Sequence, residues 1–403
     1  MKTKLHRLFH FLFFALLFTS GASVAQQPAP DTSRLTVERI FNSEEFEPAR
    51  FGGFRWLKDG NSFAKLEPSP TIKGSMDLVR YEAATNKRDV LLPAEKLIPT
   101  GAPKPLSIQG YEWSADDKRI LIYTNSKKVW RLNTRGDYWV LDSASGKLTK
   151  LGGDAKPSTL MFAKFSADAT RVGYVRENDL YVENIDTGKI TRLTNNGSPT
   201  MINGTSDWVN EEEFNLRDCW RWSPDGKSIA FWQFDASGIE DFLLLNNTTG
   251  LYPSLTKIPY PKAGTTNAAV RVGVINADGG DIRWMKTPGD PRNTYLVSVD
   301  WTSNSKSIYL QHLNRLQNTL NILVADPASG DVRSILTEKD DAWVDLELPS
   351  MTWLEGGKRF LWLSERSGWR HAYSVSADGT DVRPITKGEF DLIALQAVDE
   401  PGG

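Results

Sequence analysis

Six segments of this chain repeat one pattern, and this repeat constrains the fold more than any other feature of the sequence. Each segment has a Trp or Phe, then a short polar turn, then an apolar run, as in the sequence WSPDGKSI that begins at Trp222. The lead aromatic residues are Trp56, Trp113, Phe165, Trp222, Trp301 and Trp353. They lie 52 or 57 residues apart, except for one interval of 79 residues. The spacing predicts a protein built from repeated structural units.

The repeat predicts paired antiparallel strands. The aromatic residue closes one strand, the polar residues form a tight turn, and the apolar run begins the next strand. Most units then carry a second turn that ends in glycine, at residues 142–146, 186–188, 326–330 and 378–379. Two hairpins per unit make four strands, which form one blade of a β-propeller. We therefore predict an all-β propeller, and a β-sandwich with coincidental turns is the alternative.

The number of units predicts an incomplete propeller over residues 51–403. About six blades are present, and a seventh begins after Thr386. The longest interval, between Trp222 and Trp301, implies an insertion, and within it residues 251–262 contain three prolines, which predict an extended loop rather than a core strand. A blade that begins and does not finish exposes a sheet edge, so we expect a truncated chain.

The first 25 residues have the composition of an export signal. Lys2, Lys4 and Arg7 precede an apolar stretch, and small residues come just before Gln26. This pattern predicts cleavage and export, to the periplasm or outside the cell, with no membrane attachment afterwards. An uncleaved anchor is the alternative, although the stretch is shorter than the roughly 20 residues that cross a bilayer. Residues 26–50 are then an extension before the propeller, with a short helix or strand between Leu35 and Phe46.

Composition argues against several classes of function. With 48 basic and 50 acidic residues the net charge is -2, so no positive field favours a nucleic-acid partner. Cys219 is the only cysteine, and we predict a buried structural thiol. His312 and His371 lie far apart without clustered carboxylates, which indicates no metal site. The chain has no Gly-x-Ser-x-Gly motif, so we expect no catalytic residue of a serine hydrolase, no metal and no cofactor.

The strongest candidate for a binding site is the acidic segment of residues 207–214, with the sequence DWVNEEEF. Adjacent side chains on a strand point to opposite faces, so Glu212 and Glu213 converge only if the segment forms a turn or a helix. Two converging carboxylates suit a primary ammonium group, which offers three donors. An exposed acidic turn with structural ion pairs is the alternative. A second candidate, Arg131 beside Trp130, offers a planar fork to a carbonyl or carboxylate, unless it is an ordinary surface residue.

Several motifs together resemble the dipeptidyl peptidase IV family of serine peptidases and its bacterial relatives. The acidic segment is followed by the sequence RDCWRWSPDG, which begins at Arg217. Further matches are the sequences IPYPKAG at Ile258, VRENDLY at Val175 and GWRH at Gly368. The resemblance runs from about Leu35 to the end of the chain.

The resemblance implies an eight-bladed propeller that restricts access to an α/β-hydrolase domain. Such enzymes release dipeptides from peptides with a free N-terminus, with proline or alanine in second position. In the family, two adjacent glutamates bind the substrate amino group and an arginine contacts its backbone, which here implies Glu212, Glu213 and Arg131. The catalytic triad belongs to the hydrolase domain, which is absent from this chain, so we expect the chain to be inactive alone. The resemblance also implies that the full-length protein can dimerise.

The chain departs from the family pattern at several positions. Asn210 replaces a tyrosine, Cys219 replaces the glycine of bacterial relatives, and residues 343–348 lack the aromatic–arginine pair of some members. A tripeptidyl peptidase relative is therefore an alternative. A free-standing exported propeller that binds peptide or protein without catalysis is another.

Overall fold

The computed structural model describes residues 33–48, 51–346 and 351–400. The chain divides into two compact units, Met1–Lys65 and Leu66–Gly403. The predicted export signal at residues 1–25 lies outside the described residues. Among the residues described, no helix has the length and apolar character needed to span a membrane.

The first unit contains one short helix and the first pair of antiparallel strands. Helix α1 spans Val37–Phe41, within the stretch where the sequence predicts a short helix or strand. Thr36 caps this helix, because its side chain accepts a hydrogen bond from the Arg39 N–H. Strand β1 (Phe54–Trp56) pairs with the beginning of β2 (Ser62–Pro68), with Trp56 opposite Phe63.

The second unit is built from antiparallel sheets, and the prediction of a β-propeller is confirmed. Strands β3 (Met76–Glu82) and β4 (Arg88–Leu92) pair first, followed by the 3₁₀ helix Ala94–Leu97. The next blade has β5 (Gly110–Trp113), β6 (Arg119–Val129), β7 (Leu132–Asp142) and β8 (Leu148–Lys150). The blade after it has β9 (Leu160–Phe165), β10 (Arg171–Arg176), β11 (Asp179–Asn184) and β12 (Ile190–Arg192).

A larger blade follows, and it carries the insertion. It contains β13 (Met201–Asn203), helix α2 (Trp208–Phe214), β14 (Trp220–Trp222), β15 (Ser228–Asp235), β18 (Ala269–Asn276) and β19 (Arg283–Trp284). The strands of the separate inserted hairpin are β16 (Asp241–Asn246) and β17 (Ser254–Pro259).

Two regular blades complete the described strands. The first has β20 (Thr294–Trp301), β21 (Ile308–Asn314), β22 (Thr319–Ala325) and β23 (Val332–Lys339). The second has β24 (Thr352–Leu354), β25 (Arg359–Ser364), β26 (His371–Ser376) and β27 (Val382–Pro384). Residues 385–400, where the sequence predicts the start of a seventh blade, form no helix or strand in the structure.

The expectation of an extended loop at residues 251–262 is wrong for six of these residues. Strand β17 pairs with β16 along its whole length, from Ser254 opposite Asn246 to Pro259 opposite Asp241. The physical reason is the position of the prolines. Pro253 and Pro261 lie outside the strand and Pro259 ends it, so the residues between them keep the N–H groups that pairing needs. The strand has no buried residue, as expected for a segment outside the core.

The repeated turn forms because its polar side chains satisfy the backbone. Ser223 donates its hydroxyl to Asp225 at 2.6 Å and accepts the Ser228 N–H at 2.9 Å. The same arrangement recurs at Ser114 and Asp116, with the Arg119 N–H donating to the Ser114 hydroxyl. Local bonds of this kind favour turns over continued strand, which explains why these units of the repeat reverse at this position.

The lead aromatic residues also join neighbouring blades. The Trp222 indole N–H donates to the Lys164 carbonyl at 3.2 Å, and the Trp301 indole N–H donates to the Arg221 carbonyl at 3.3 Å. In both cases the acceptor is the residue just before the lead aromatic of the preceding blade. The hydrophobic core lies between the sheets, where residues such as Trp232, Tyr174 and Phe360 are fully buried.

Candidate functional site

The acidic segment forms helix α2. Asp207 caps it, since its carboxylate accepts the Asn210 backbone N–H at 3.1 Å and the Asn210 side-chain amide at 2.8 Å. Asn215 ends the helix in the left-handed conformation, with φ of 49°. A helix places Glu212 and Glu213 about 100° apart, so the two carboxylates are neighbours rather than on opposite faces. The two carboxylates were expected to converge only if this segment formed a turn or a helix, and it forms a helix.

The segment before the helix is fixed by buried backbone bonds. The Gly204 N–H donates to the Trp232 carbonyl at 3.0 Å, and the Gly204 carbonyl accepts the Cys219 N–H at 3.2 Å. Gly204 has φ of 74°, and a Cβ here would lie 2.8 Å from Val175 and Leu180. Only glycine satisfies both conditions. These bonds therefore hold the start of helix α2 against strand β15, which contains Trp232.

Glu211 points into the protein rather than towards solvent. Its Oε2 lies 3.0 Å from Arg217 Nε, and both side chains are more than 90% buried. Burial raises the pKa of Glu211, and the nearby Arg217 cation opposes this shift. Burial likewise lowers the pKa of Arg217, while the Glu211 charge opposes it. The attraction between the two groups therefore favours the ionised pair. Sequence reasoning named Glu212 and Glu213 and assigned no role to Glu211.

The second candidate lies at the tip of the long β6–β7 hairpin. Val129 pairs with Leu132, so Trp130 and Arg131 form a two-residue turn. Trp130 adopts a positive φ of 51°. Its ring lies over the Arg217 guanidinium, with 4.5 Å from Cζ to the ring centroid. The hairpin tip of one blade thus contacts the residues around helix α2 of another.

The structure brings Arg131 and Glu212 together. Arg131 Nη2 lies 2.7 Å from Glu212 Oε1. The Arg131 side chain is 70% exposed and that of Glu212 is 25% exposed. Arg131 and Glu212 therefore form a solvent-accessible ion pair, and Glu213 is the next, exposed residue of the same helix. Such residues can bind a cation at their carboxylates and a hydrogen-bond acceptor at the unused guanidinium donors.

A glycine that the sequence did not single out allows the hairpin to close. A Cβ at Gly136 would lie 2.2 Å from the Tyr123 ring and 2.8 Å from the Thr124 carbonyl. Because the ring lies across Gly136, the Tyr123 hydroxyl donates to the carbonyls of Asn133 and Arg135, at 2.7 and 2.9 Å. These bonds hold the outer half of the hairpin, which carries Trp130 and Arg131.

Comparisons with known proteins identify the family. The family model for the dipeptidyl peptidase IV (DPP IV) N-terminal region matches residues 114–403. The chain belongs to this family. It is 30% identical over 335 residues to dipeptidyl peptidase 4 of Trichophyton rubrum, covering 80% of this chain and 42% of the relative. It is also 30% identical over 411 residues to dipeptidyl peptidase 4 of Trichophyton equinum, covering 96% of this chain and 50% of the relative.

A solved structure shows the same architecture. The crystal structure of Porphyromonas gingivalis dipeptidyl peptidase 4 matches with a TM-score of 0.80 and 27% sequence identity. The match covers 91% of this chain and 51% of that chain. The chain thus spans about half the length of the dipeptidyl peptidase IV relatives that it matches.

The other residues considered from the sequence of this dipeptidyl peptidase IV N-terminal region are Cys219, His312 and His371, and all three are buried in the protein. Cys219 is fully buried, and burial raises the pKa of its thiol. His371 is buried, with Nδ1 3.1 Å from the Thr386 hydroxyl and Nε2 3.0 Å from the Gly388 carbonyl. His312 is buried, with Nε2 3.1 Å from the Pro288 carbonyl. Within the described residues, no group of three or more His, Cys, Asp or Glu side chains could hold a metal ion.

Proposed function

We propose that this chain is the substrate-recognition region of a dipeptidyl-peptidase-IV-like serine exopeptidase. In this proposal Glu212 and Glu213 bind the α-ammonium group of a peptide, and Arg131 contacts a carbonyl of the peptide backbone. The propeller restricts access, and a hydrolase domain joined to it releases N-terminal dipeptides of the type Xaa-Pro or Xaa-Ala. The observation that carries the proposal is the exposed Arg131 guanidinium 2.7 Å from the Glu212 carboxylate, with Glu213 exposed as the following residue of the helix.

The recognition chemistry follows from the charges. An ammonium group donates three hydrogen bonds, and two carboxylates on adjacent helix residues can accept two of them. Bonds to charged groups contribute about 1.5–3 kcal/mol each. Arg131 holds one Glu212 oxygen and keeps further N–H donors for a carbonyl. Because the ammonium is fixed at the helix, the distance from the helix to the hydrolase domain determines how many residues precede the cleaved bond.

The proposal requires a free and charged peptide N-terminus. An acetylated terminus has no positive charge, so it leaves both carboxylates without their cation. The α-amino group of a peptide has a pKa of about 7.7–8.0. Above this range the group loses its proton, and we expect affinity to fall as the pH rises from about 7 to 9.

The direct test is calorimetric titration of the 403-residue chain with a tetrapeptide that begins Val-Pro, and with its N-acetylated form. We expect the acetylated peptide to bind at least about tenfold more weakly, which corresponds to about 1.4 kcal/mol. Glu212→Gln and Glu213→Gln are expected to weaken binding of the free peptide by a similar factor. Glu177→Gln is a matched control, because Glu177 is an exposed glutamate in a different turn.

The outcomes separate recognition from general binding. Equal affinity for free and acetylated peptides would reject the α-ammonium site. If both forms bind equally and the glutamine variants have no effect, the chain is a general peptide-binding propeller instead.

Catalysis is tested in the complete protein. The reading frame beyond codon 403 is expected to encode a Gly-x-Ser-x-Gly motif followed by Asp and His, as the hydrolase domain requires. Mass spectrometry of the products from a longer peptide then separates dipeptidyl from tripeptidyl release. A stop codon at position 404 would favour a propeller without catalysis.

A further inference from the structure

Arg217 and Trp130 are placed where they can position the proposed recognition residues. Arg217 lies three residues after the end of helix α2, and it is 6% exposed. Its Nη1 donates to the Thr205 hydroxyl and to the Ser206 carbonyl, both at 2.7 Å. Its Nε lies 3.0 Å from Glu211 Oε2. One guanidinium thus contacts the segment before the helix and a residue within it.

The flat face of the same guanidinium contacts the hairpin. The Trp130 ring centroid lies 4.5 Å from Arg217 Cζ. A cation over an indole face is attracted by the electrons of the ring, and the attraction is stronger where water is excluded. Trp130 is next to Arg131 in the two-residue turn. Holding the indole in place therefore also holds the backbone from which the Arg131 side chain extends.

The Arg131 side chain needs other contacts to hold it near Glu212. It is 70% exposed, and an exposed ion pair by itself contributes only about 0–1 kcal/mol. The Arg131–Glu212 distance of 2.7 Å therefore depends on how the hairpin tip and the helix are held. Arg217 contacts both, through its edge on the helix side and through its face on the hairpin side.

We infer that Arg217 is a positioning residue, which acts with Trp130 to hold Arg131 at the distance where it meets Glu212. This inference rests on the proposed function for its consequence in peptide binding. Lysine cannot replace arginine here, because an ammonium group is not planar and cannot stack on an indole while donating in its own plane. The burial of the Glu211–Arg217 pair is compatible with this role, because buried ion pairs often contribute little to net stability.

The chain offers a chemically matched control in Arg171. Its guanidinium lies over the Trp222 ring at 5.7 Å, pairs with Asp278 at 3.1 Å and donates to the Gly226 carbonyl at 2.7 Å. It thus combines an indole, a carboxylate and a carbonyl, as Arg217 does. Its partners lie at the β14–β15 and β18–β19 turns rather than in helix α2 or the hairpin tip.

The test compares Arg217→Lys and Trp130→Leu with Arg171→Lys and Trp222→Leu in the 403-residue chain. The first readout is hydrogen–deuterium exchange of residues 127–135, and it needs no ligand. We expect exchange at this tip to rise at least about tenfold in Arg217→Lys and Trp130→Leu and to stay unchanged in the Arg171 and Trp222 variants. Unchanged exchange at the tip in both Arg217→Lys and Trp130→Leu would overturn the inference, even if no peptide bound.

The second readout is the affinity for the free Val-Pro tetrapeptide. We expect Arg217→Lys and Trp130→Leu to weaken binding about tenfold and the control variants to weaken it less than twofold. In an Arg131→Ala background, Arg217→Lys is expected to add little, since it acts through Arg131. A full additional loss in that background indicates a general structural role and would also overturn the inference.

The two proposals fail in different ways. If the wild-type chain does not distinguish free from acetylated peptide, the proposed function fails, and the exchange experiment still decides whether Arg217 holds the tip. If the wild type distinguishes them and both Arg217→Lys and Trp130→Leu bind normally, the positioning inference fails while the proposed function stands.

Discussion

Two hairpins reach helix α2, and they contact it in different ways. The β6–β7 hairpin contacts the helix region through charged groups, with Trp130 on Arg217 and Arg131 on Glu212. The β16–β17 hairpin reaches the helix through aromatic rings. Tyr260, just after β17, lies 4.6 Å from the Trp208 ring and 5.6 Å from the Phe242 ring. The same helix therefore has one polar and one aromatic neighbour.

The two hairpins differ in how strictly their contacts fix their positions relative to the helix. Hydrogen bonds lose energy quickly when the distance or angle changes. Bonds of this kind hold the buried Arg217 on which Trp130 lies, so the first hairpin has one favoured geometry. Ring contacts tolerate several arrangements. The second hairpin also leaves many apolar side chains exposed, namely Phe242, Leu243, Leu244, Leu245, Leu251, Tyr252 and Leu255. The first hairpin suits recognition of one chemical group, whereas the second presents a surface.

The largest expected effect comes from closing the space at Gly136. In Gly136→Ala the new methyl group meets the Tyr123 ring and the Thr124 carbonyl. Forcing such a group into a filled space costs about 1–3 kcal/mol. We expect a lower melting temperature and weaker binding of the free tetrapeptide, measured by calorimetry on the same sample.

Gly250→Ala is the matched change in the second hairpin. A Cβ at Gly250 would meet only the Tyr252 carbonyl, at an ordinary distance of 3.7 Å. We expect stability and peptide affinity close to those of the wild type. Equal losses in both variants would show that the two hairpins are equally constrained and would remove the basis of the comparison.

An intermediate effect is expected when the aromatic contact is removed. Tyr260→Leu keeps an apolar side chain at this partly exposed position but loses the ring contacts with Trp208 and Phe242. Exchange in residues 241–246 is expected to rise, while peptide affinity changes less than about twofold because Arg217 and Trp130 still hold the other side of the helix. A large loss of peptide affinity would show that the second hairpin also positions the site.

The smallest effect on stability is expected at the exposed surface. Leu245 and Leu255 are paired across the hairpin, and each is 59% exposed. Leu245→Lys should change the free energy of unfolding by less than about 0.5 kcal/mol. The family resemblance implies that the full-length protein can dimerise, and an apolar surface of this kind is one that a dimer of the full-length protein could bury. We therefore expect sedimentation analysis to detect less self-association in this variant, and an unchanged distribution would exclude this surface from dimerisation.

The repeated turns could be predicted from the sequence because they are local. Ser223 and Asp225 satisfy the backbone within six residues, so their effect depends little on the rest of the chain. The same is true of the cap formed by Asp207. The insertion was located correctly between Trp222 and Trp301, but its strand β17 was not predicted, because the prolines were counted without regard to where they fall relative to the strand.

The partners of the acidic helix could not be predicted in the same way. The three glutamates are consecutive, and the burial that separates Glu211 (buried), Glu212 (partly exposed) and Glu213 (exposed) is seen only in the structure. Locally, Arg131 was singled out only by its neighbour Trp130, and Arg221 and Arg370 also follow a tryptophan. Its proximity to Glu212 was expected only from the family resemblance, and Gly136 had no local signal of its importance.

By itself the sequence determined the periodic units, their turns and the short acidic segment with its cap, since each depends on bonds among residues close in the chain. Only the tertiary structure decided that the tip of the β6–β7 hairpin meets helix α2, about 80 residues further along. Such a meeting depends on the packing of successive blades and on the close approach that Gly136 permits. These contacts join distant residues, and no local preference of the chain encodes them.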